Sequence, residues 1–309
     1  MNTVTRRYRA GLDENGLGPR LGPMTVTGVL LAITSRDDVW IPAAARAGIG
    51  DSKSLCAHGS MRDVERFVLA VTDAHLGARP RSLTELLAVI GHEPDATLRA
   101  LCPAGEAPRA CFEHAIELPA FDGAPRGEDL DSARGLLDSG VRVLEARVSL
   151  SCAKKLNVAS RNGRSRFDVD LDAMLSIIAR LRATAGAELD AGCGKVGGRK
   201  SYGPALTALH PLPETVEETQ ARSAYRLRSI GTVAFVRDGD ATDPAISLAS
   251  LFGKYVRELT MERIYRYYAS HVAGLGRASG YHDPVTTRFI DATARTRTRL
   301  DIADECFSR

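Results

Sequence analysis

The segment DENGLGPRLGP, residues 13–23, is followed at once by the apolar segment MTVTGVLLAI. Within the latter, Val26–Ile33 carries Val, Leu and Ile with little polar alternation, which is typical of a strand covered on both faces. Asp13 and Glu14 therefore stand at the edge of a buried strand, where neighbouring carboxylates are costly unless something neutralises them. The glycines and prolines that separate the acids from the strand fix the shape of the backbone.

Strand-like and helical patterns alternate through much of the remaining chain. Residues 61–75 place apolar side chains about 3.6 residues apart, which predicts a helix. After residue 140, VRVLEARVSLSCAKKL predicts a strand, and LDAMLSIIARLRATAG predicts a helix that ends at Gly186. The segment AELDAG then predicts a brief strand that carries Asp190.

Two further patterns complete the predicted fold. SAYRLRSIG and TVAFVRDG alternate well enough to be paired strands. A long helix begins after Asp243, which is a natural N-cap with Pro244 at the first helical position. The order of the elements predicts an α/β fold, a mixed β-sheet flanked by helices, rather than a barrel or a bundle.

Residues 76–140 differ from their surroundings. They contain ARPRSL, CPAGEAPRA and FDGAPRGED, with short helical pieces such as LTELLAVIGH between them. We expect residues 1–309 to form a single domain, with approximately 76–140 as an insertion or a subdomain within it.

The composition is ordinary for a globular protein, with 44% hydrophobic and 26% charged residues. The net charge of +3 is too small to imply a polyanionic partner, so any nucleic-acid site must depend on local clusters. The six cysteines are scattered without a CxxC pair, which indicates neither a zinc module nor a disulfide framework. No secretory pattern is present and no apolar run is long enough to span a bilayer, so a cytoplasmic location is expected.

Several acids fall at the ends of predicted elements. Asp13 and Glu14 precede a strand, Asp190 lies at the end of another, and Asp240 lies between a strand and a helix. A cluster of such carboxylates needs cations, and Mg²⁺ or Mn²⁺ prefers oxygen ligands. Two such ions about 3.5–4 Å apart can activate a water and stabilise the leaving oxygen of a phosphodiester. The alternative for an acid at a strand end is a cap or a turn, which we assign to Asp243 and Asp238 respectively.

Four segments carry a resemblance to a known family. DENGLGPRLGP is similar to the opening motif of the type 2 ribonuclease H family (ribonuclease HII), which reads DExGxGPxxGP. GDSKSL at residues 50–55 is similar to the DSK-L segment of that family. GDATDPAISLASLFGKYVRE resembles its acid, small residues and (S/A)-x-A-S-x-x-x-K-x-x-R-(D/E) pattern, and SGYHDPVTT resembles its K-G-Y-x-T segment. These segments occur in family order and frame about two thirds of the chain.

The resemblance implies a ribonuclease H-like sheet and a metal-dependent endonuclease. Such an enzyme hydrolyses the RNA strand of RNA–DNA hybrids or cuts at ribonucleotides embedded in duplex DNA, leaving 3′-hydroxyl and 5′-phosphate ends. The metal-binding and catalytic acids carried over are Asp13, Glu14, Asp190 and Asp240, which would hold two Mg²⁺ or Mn²⁺ ions. The expected partner is nucleic acid, with no membrane and no organic cofactor, and the protein is expected to be a monomer.

Glycine, basic and aromatic residues supply candidate substrate contacts. By resemblance, Gly16, Leu17 and Gly18 present backbone groups to a ribose 2′-OH. The cations Lys195, Arg199 and Lys200 lie on a glycine-rich loop after Asp190, and such loops suit phosphate contacts. Lys53 and Lys254 are candidates for phosphate binding or structural ion pairs, and Tyr281 matches a family tyrosine that packs on a sugar.

Some positions depart from the family pattern. Leu17 stands where members that cut at single ribonucleotides usually have arginine, and Ser279 stands where they have lysine. Asp190 is followed by Ala-Gly instead of Gly. Two rival functions therefore remain: a divergent nuclease of this fold acting on another structured nucleic acid, and a non-catalytic nucleic-acid-binding protein on the same scaffold.

Overall fold

The computed structural model describes residues 6–49, 61–94, 98, 102, 110–111 and 114–309. Seven strands form one mixed sheet in the order β3-β2-β1-β4-β7-β6-β5. The strand bounds are β1 Arg7–Asn15, β2 Met24–Ile33, β3 Val141–Ser151, β4 Leu189–Gly194, β5 Glu214–Glu218, β6 Arg222–Leu227 and β7 Gly231–Val236. Strand β1 pairs antiparallel with β2 and parallel with β4, and the central strand β4 pairs parallel with β7.

Helices flank both faces of this sheet. Their bounds are α1 Asp37–Arg46, α2 Arg62–Leu76, α3 Leu83–Ile90, α4 Gly127–Asp138, α5 Ala153–Arg161, α6 Arg166–Ala185, α7 Gly203–Leu206, α8 Gly239–Thr242, α9 Pro244–Ala269, α10 Pro284–Arg299 and α11 Asp304–Phe307. The predicted mixed sheet with flanking helices is therefore confirmed.

Strand β2 is buried along its whole length, as its unbroken apolar pattern predicts. On one face of the sheet, α6 packs Ile177 and Leu181 into a core with Leu12 of β1. On the other face, α9 lies directly on β1. A side chain at Gly11 would stand 2.0 Å from the backbone oxygen of Ala245, so the close approach of the helix requires glycine there.

The described parts of residues 76–140 pack on the same core as the sheet. Leu86 and Leu136 lie in one apolar cluster with Val29 and Val143. The buried carboxylate of Glu65 accepts hydrogen bonds from three backbone N–H groups of this segment, at 2.6 Å from Ala120, 2.8 Å from Phe121 and 2.9 Å from Gly123. The segment is thus tied to the sheet and its helices, and its description as an insertion stays a prediction.

Local signals set several helix ends. Asp243 caps α9 by accepting a hydrogen bond from the N–H of Ala245, and α6 ends at Gly186 in the left-handed conformation, both as predicted. Asp238 is an exposed turn residue with a φ of 52°. No helix in the described ranges is long and apolar enough to cross a bilayer.

Candidate functional site

Asp13 and Glu14 lie at the carboxyl end of β1, an inner strand of the sheet next to the central strand β4. Successive side chains of a strand point to opposite faces, so the two carboxylates point to different sides of the sheet. Asp13 points toward α9, where it bonds to Ser250. Glu14 shares the face of Leu12, and its Oε1 accepts a hydrogen bond from the Leu17 N–H at 2.5 Å.

The carboxylates at this strand end disturb one another. Burial raises the pKa of Asp13 to about 7, and the negative charges of Asp240 and Glu14 raise it further, while the bond from Ser250 opposes the shift. Burial also raises the pKa of Glu14, against the Leu17 N–H bond and the cations Arg309 and Arg257. Asp240 lies on α8, beyond the end of β7. Asp13, Glu14 and Asp240 therefore form a group that a cation would stabilise.

Asp190 does not belong to this group, which corrects the sequence-based assignment. In the parallel pair of β1 and β4, Asp190 lies opposite Arg9, and Cys193 lies opposite Leu12. Since Asp13 comes four residues after Arg9, Asp190 is about 13 Å away from it along the strands. It lines a different cavity of about 340 Å³ together with Arg7. Asp190 begins β4 rather than ending it, and the end of β4 near Asp13 carries Cys193 and Gly194 instead.

Asp170 is a carboxyl near the site that the sequence-based reasoning missed. It lies in α6 on the helix face that carries Met174 and Ile177 into the core, and it is 1% exposed. Its Oδ1 has no hydrogen-bond partner among the described residues. Burial raises its pKa well above the ordinary value, and the charges of Glu14 and Asp13 add to the shift. The sequence offered one signal for Asp170, namely an aspartate near the start of an otherwise apolar helix face.

The donor set fits a hard divalent cation by its chemistry, because all candidate ligands are carboxylate oxygens. As the chain stands, no three acids, histidines or cysteines of the described residues lie close enough together to hold an ion. Mg²⁺ usually binds through one or two carboxylates, with waters and substrate phosphates completing its shell. Asp13, Glu14 and Asp240 therefore fit such an open arrangement and do not form a closed cage.

A groove of about 610 Å³ opens beside these acids. Its lining includes most of the predicted substrate-binding residues, namely Gly16, Leu17, Gly18, Lys254 and Tyr281, together with Glu14, Asn15, Met61, Arg257 and Glu258. Nothing lies within 4 Å of the position that a Cβ would take on Gly18, so its backbone is open to a ligand. Tyr281 is 49% exposed. The groove thus places accessible backbone, a lysine and an exposed aromatic ring next to the acids.

Gly16 is required by the geometry of this groove. Its φ is 88°, in the region that favours glycine, and a Cβ there would stand 2.6 Å from Nε of Arg257 and 2.8 Å from the Pro23 oxygen. Arg257 is itself buried, donates to the Ser279 oxygen at 3.2 Å, pairs with Glu258 and lies 5.3 Å from the ring centre of Tyr281. Arg257 therefore positions the walls of the groove.

Two arginines outside the predicted set of substrate-binding residues hold the glycine loop. Arg309 donates to the Gly16 oxygen at 2.6 Å and to the Gly22 oxygen at 2.9 Å. Arg166 donates to the Leu17 oxygen at 3.2 Å. Burial lowers the pKa of Arg309 to about 9, and the charges of Arg166 and Arg257 lower it further. The loop is thus held by cations at positions far away in the sequence.

The remaining predicted cations have other surroundings. Lys195 donates to the backbone oxygens of Thr219 at 2.6 Å and Gln220 at 3.1 Å. Arg199 pairs with Asp168 at 3.1 Å. The described lining of the groove includes neither of them, nor Lys200. Lys53 lies outside the described residues.

Comparison with known proteins shows the type of fold. No protein-family model and no curated protein matches the sequence. Bst-RNase HIII in complex with Mn²⁺ matches with a TM-score of 0.50 and 15% identity, over 99% of this chain and 67% of that chain. Ribonuclease H2 from Pyrococcus horikoshii matches with a TM-score of 0.47 and 15% identity, over 97% and 92%. A chain of the PCNA:RNase HII complex from Archaeoglobus fulgidus matches with 0.47 and 16%, over 97% and 92%. The chain has a ribonuclease H-like fold, a seven-stranded mixed sheet flanked by helices.

Proposed function

We propose that this protein is a metal-dependent endonuclease that hydrolyses the RNA strand of RNA–DNA hybrids or cuts at ribonucleotides embedded in duplex DNA. The proposal rests on the position of the acids at the end of β1, next to the groove that the glycine loop lines. Glu14, one of the mutually repelling acids at the end of β1, lines the same groove as the open glycine loop. The ribonuclease H-like fold supports the same reading.

Each part of the groove has a role in this proposal. Asp13, Glu14 and Asp240 would hold Mg²⁺ or Mn²⁺, which supplies activation of water and stabilisation of the leaving oxygen when bound. The backbone of Gly16–Gly18 approaches the sugar, where the 2′-OH distinguishes RNA from DNA. Lys254 offers a phosphate contact, and the exposed ring of Tyr281 offers a surface for a sugar.

Asp170, which lies on α6, adds a further carboxyl next to the acid group. Its buried carboxyl lies near Glu14, on the face of the sheet opposite to Asp13. In this proposal Asp170 acts on Glu14 and Asp13 through electrostatic repulsion, and it takes the place first assigned to Asp190. Outer carboxylates of this kind tune the ligands that they contact.

A non-catalytic nucleic-acid-binding protein is the second candidate. Two observations favour it: Asp190 lies apart from the other acids, and no three candidate ligands of the described residues converge. The group of acids opposes it, because carboxylates repel phosphates unless a cation is bound.

The test is a cleavage panel with a uniform RNA–DNA hybrid, a duplex with a single ribonucleotide, a DNA duplex and an RNA duplex. Each is incubated with Mg²⁺ or Mn²⁺, and binding is measured in parallel. We expect cleavage of the first or the second substrate, its loss in Asp13→Asn, and its retention in the matched control Asp190→Asn. Binding without any cleavage would select the second candidate, and equal loss in both variants would refute the assignment of the acids.

A further inference from the structure

Phe167 is an exposed aromatic side chain outside the lining of the groove. It lies in the first turn of α6 and is 42% exposed. Among the described residues, the exposed large hydrophobic side chains include one other aromatic ring, that of Tyr281 in the groove. A single exposed apolar side chain is ordinary, so the surroundings of Phe167 decide what the ring can do.

Phe167 stands next to one end of the groove. The residue before it, Arg166, donates to the backbone oxygen of Leu17 at 3.2 Å. Leu17 lines the groove. Since neighbouring Cα atoms are about 3.8 Å apart, the start of α6 brings the ring of Phe167 close to the Leu17 end of the groove.

The 195–202 loop, which connects β4 with α7, lies against the ring of Phe167. A Cβ on Gly197 would stand 2.6 Å from Cε1 of the ring and 3.0 Å from Cδ1. The φ of Gly197 is 56°, in the region that favours glycine. Glycine is thus required at position 197 by the backbone and by the ring, and its lack of a side chain lets the loop support Phe167.

Polar contacts fix this loop in place. Lys195 donates to two backbone oxygens at the start of the loop. Arg199 pairs at 3.1 Å with Asp168, the residue after Phe167. Near the end of the loop, the Lys200 oxygen accepts a hydrogen bond from a serine hydroxyl at 2.6 Å. The loop and the ring therefore hold their arrangement before a ligand arrives, which lowers the entropic cost of binding one.

The surface around the ring is rich in cations. Residues 164–168, RSRFD, and 195–200, KVGGRK, carry five cations and one acid. Arg164 also pairs with Asp172 at 2.5 Å, while its side chain stays 47% exposed. Lys200 is exposed as well. Cations exceed acids here, and this charge is complementary to a phosphate backbone.

We propose that Phe167 and the 195–202 loop form an accessory site for an unpaired nucleotide of the nucleic acid that the groove binds. The faces of bases within a duplex are covered by their neighbours, so an exposed ring can stack only on an unpaired or terminal base. Aromatic rings on a basic surface bind single strands in this way, with little dependence on sequence. The site therefore favours a substrate with a single-stranded extension beside the duplex. This inference rests on the proposed binding of nucleic acid by the groove, but not on cleavage.

The test measures binding without cleavage, in EDTA at low salt. Fluorescently labelled RNA–DNA hybrids are blunt or carry an unpaired extension of about five nucleotides on either strand, at either end. We expect the wild type to bind one of the extended hybrids about tenfold more tightly than the blunt hybrid. Phe167→Ala and Gly197→Ala should each lose this gain and keep the affinity for the blunt hybrid.

Val39→Ala is the matched control. Val39 is similarly exposed, at 47%, and lies on α1, which is tied to the opposite end of β1 by the ion pair of Asp37 with Arg7. This variant should keep the full gain in affinity from the extension.

Phe167→Trp gives a signal at the ring itself. The single tryptophan of the chain, Trp40, is buried, so a change in emission on binding reports position 167. We expect the variant to keep the gain in affinity, and we expect single-stranded DNA or RNA and the extended hybrid to quench its emission. An equal gain in the wild type and Phe167→Ala, no gain from any extension, or unchanged emission of Phe167→Trp would each overturn the inference.

The same measurements separate this inference from the proposed activity. If an extension strengthens binding but no substrate is cleaved with Mg²⁺ or Mn²⁺, the accessory site stands and the nuclease activity fails. If the blunt hybrid is cleaved but no extension strengthens its binding, the activity stands and the accessory site fails.

Discussion

The Nη1 atom of Arg309 donates a hydrogen bond to the backbone oxygen of Gly16 at 2.6 Å. Its Nη2 atom donates to the Gly22 oxygen, so one partly buried guanidinium spans both ends of the glycine loop. The loop forms the floor of the groove beside Asp13 and Glu14. The shape of the groove therefore depends on a residue almost three hundred positions away in the sequence.

Arg309→Ala should loosen the loop and weaken discrimination for ribonucleotides. Loss of two charge-assisted hydrogen bonds lowers the free energy of unfolding by roughly 2 kcal/mol. Misplacement of the loop lowers cleavage at a single ribonucleotide about tenfold or more. Denaturant unfolding and the ratio of rates on ribonucleotide and hybrid substrates measure the two effects. The exposed Arg299→Ala is the matched control, and equal effects in both variants would contradict the assigned role.

Asp13→Asn should stabilise the metal-free protein as the pH rises from about 4 to 7. The pKa of Asp13 is raised in the folded state to about 7, so the folded carboxyl stays protonated while the unfolded chain ionises above about pH 4. The folded wild type therefore loses stability as the pH rises through this interval. Asparagine does not titrate, and its advantage should grow to roughly 1 to 3 kcal/mol, reduced by the partial exposure of Asp13. Unfolding in EDTA at several pH values measures it, and parallel pH curves would count against it.

Asp170→Asn should weaken Mn²⁺ binding by about 10- to 100-fold, because the carboxyl behind Glu14 is neutralised. It should also stabilise the metal-free protein at neutral pH, since a buried group repelled by Glu14 and Asp13 is replaced by an amide. Titration calorimetry with Mn²⁺ measures the affinity. Asp190→Asn, at the opposite end of β4, should leave the Mn²⁺ affinity unchanged. A larger loss of affinity in Asp190→Asn than in Asp170→Asn would show that the two aspartates were assigned wrongly.

Leu17→Arg should strengthen binding to a duplex with a single ribonucleotide. The side chain lines the groove, and an added cation there supplies one more phosphate contact. The slope of log affinity against log salt should become steeper by about 1. Leu17→Gln is the uncharged control. If both variants show the same salt dependence as the wild type, the side chain at position 17 does not reach the phosphates.

Elements and helix ends that depend on neighbouring residues in the sequence were predicted correctly. The unbroken apolar stretch of β2, the cap at Asp243 and the end of α6 at Gly186 all follow from interactions within a few residues. These features depend on local backbone geometry, which the local sequence encodes. Asp13 and Glu14 were expected to precede a strand, but they lie at the carboxyl end of β1, a strand that the sequence pattern did not predict.

Contacts between segments that lie far apart in the sequence were predicted only in part. Asp190 was assigned to the acid group because it was expected to end a strand and because the family resemblance carried it over, but the register of β4 against β1 places it beside Arg9. Its distance from Asp13 depends on where the strand starts, and a shift of a few residues changes which side chains meet. Asp170 was passed over because its carboxyl reaches Glu14 only through the packing of α6 on the sheet.

The sequence by itself determined the strand β2, the helix ends and the position of two acids before a glycine loop, because each depends on neighbouring residues. The tertiary structure alone decided that Asp170 interacts with those acids while Asp190 lies beside Arg9, and that Arg309 holds the loop. Each of these contacts crosses many residues of chain. Strand register and helix packing, which arise from burial of the whole core, set them.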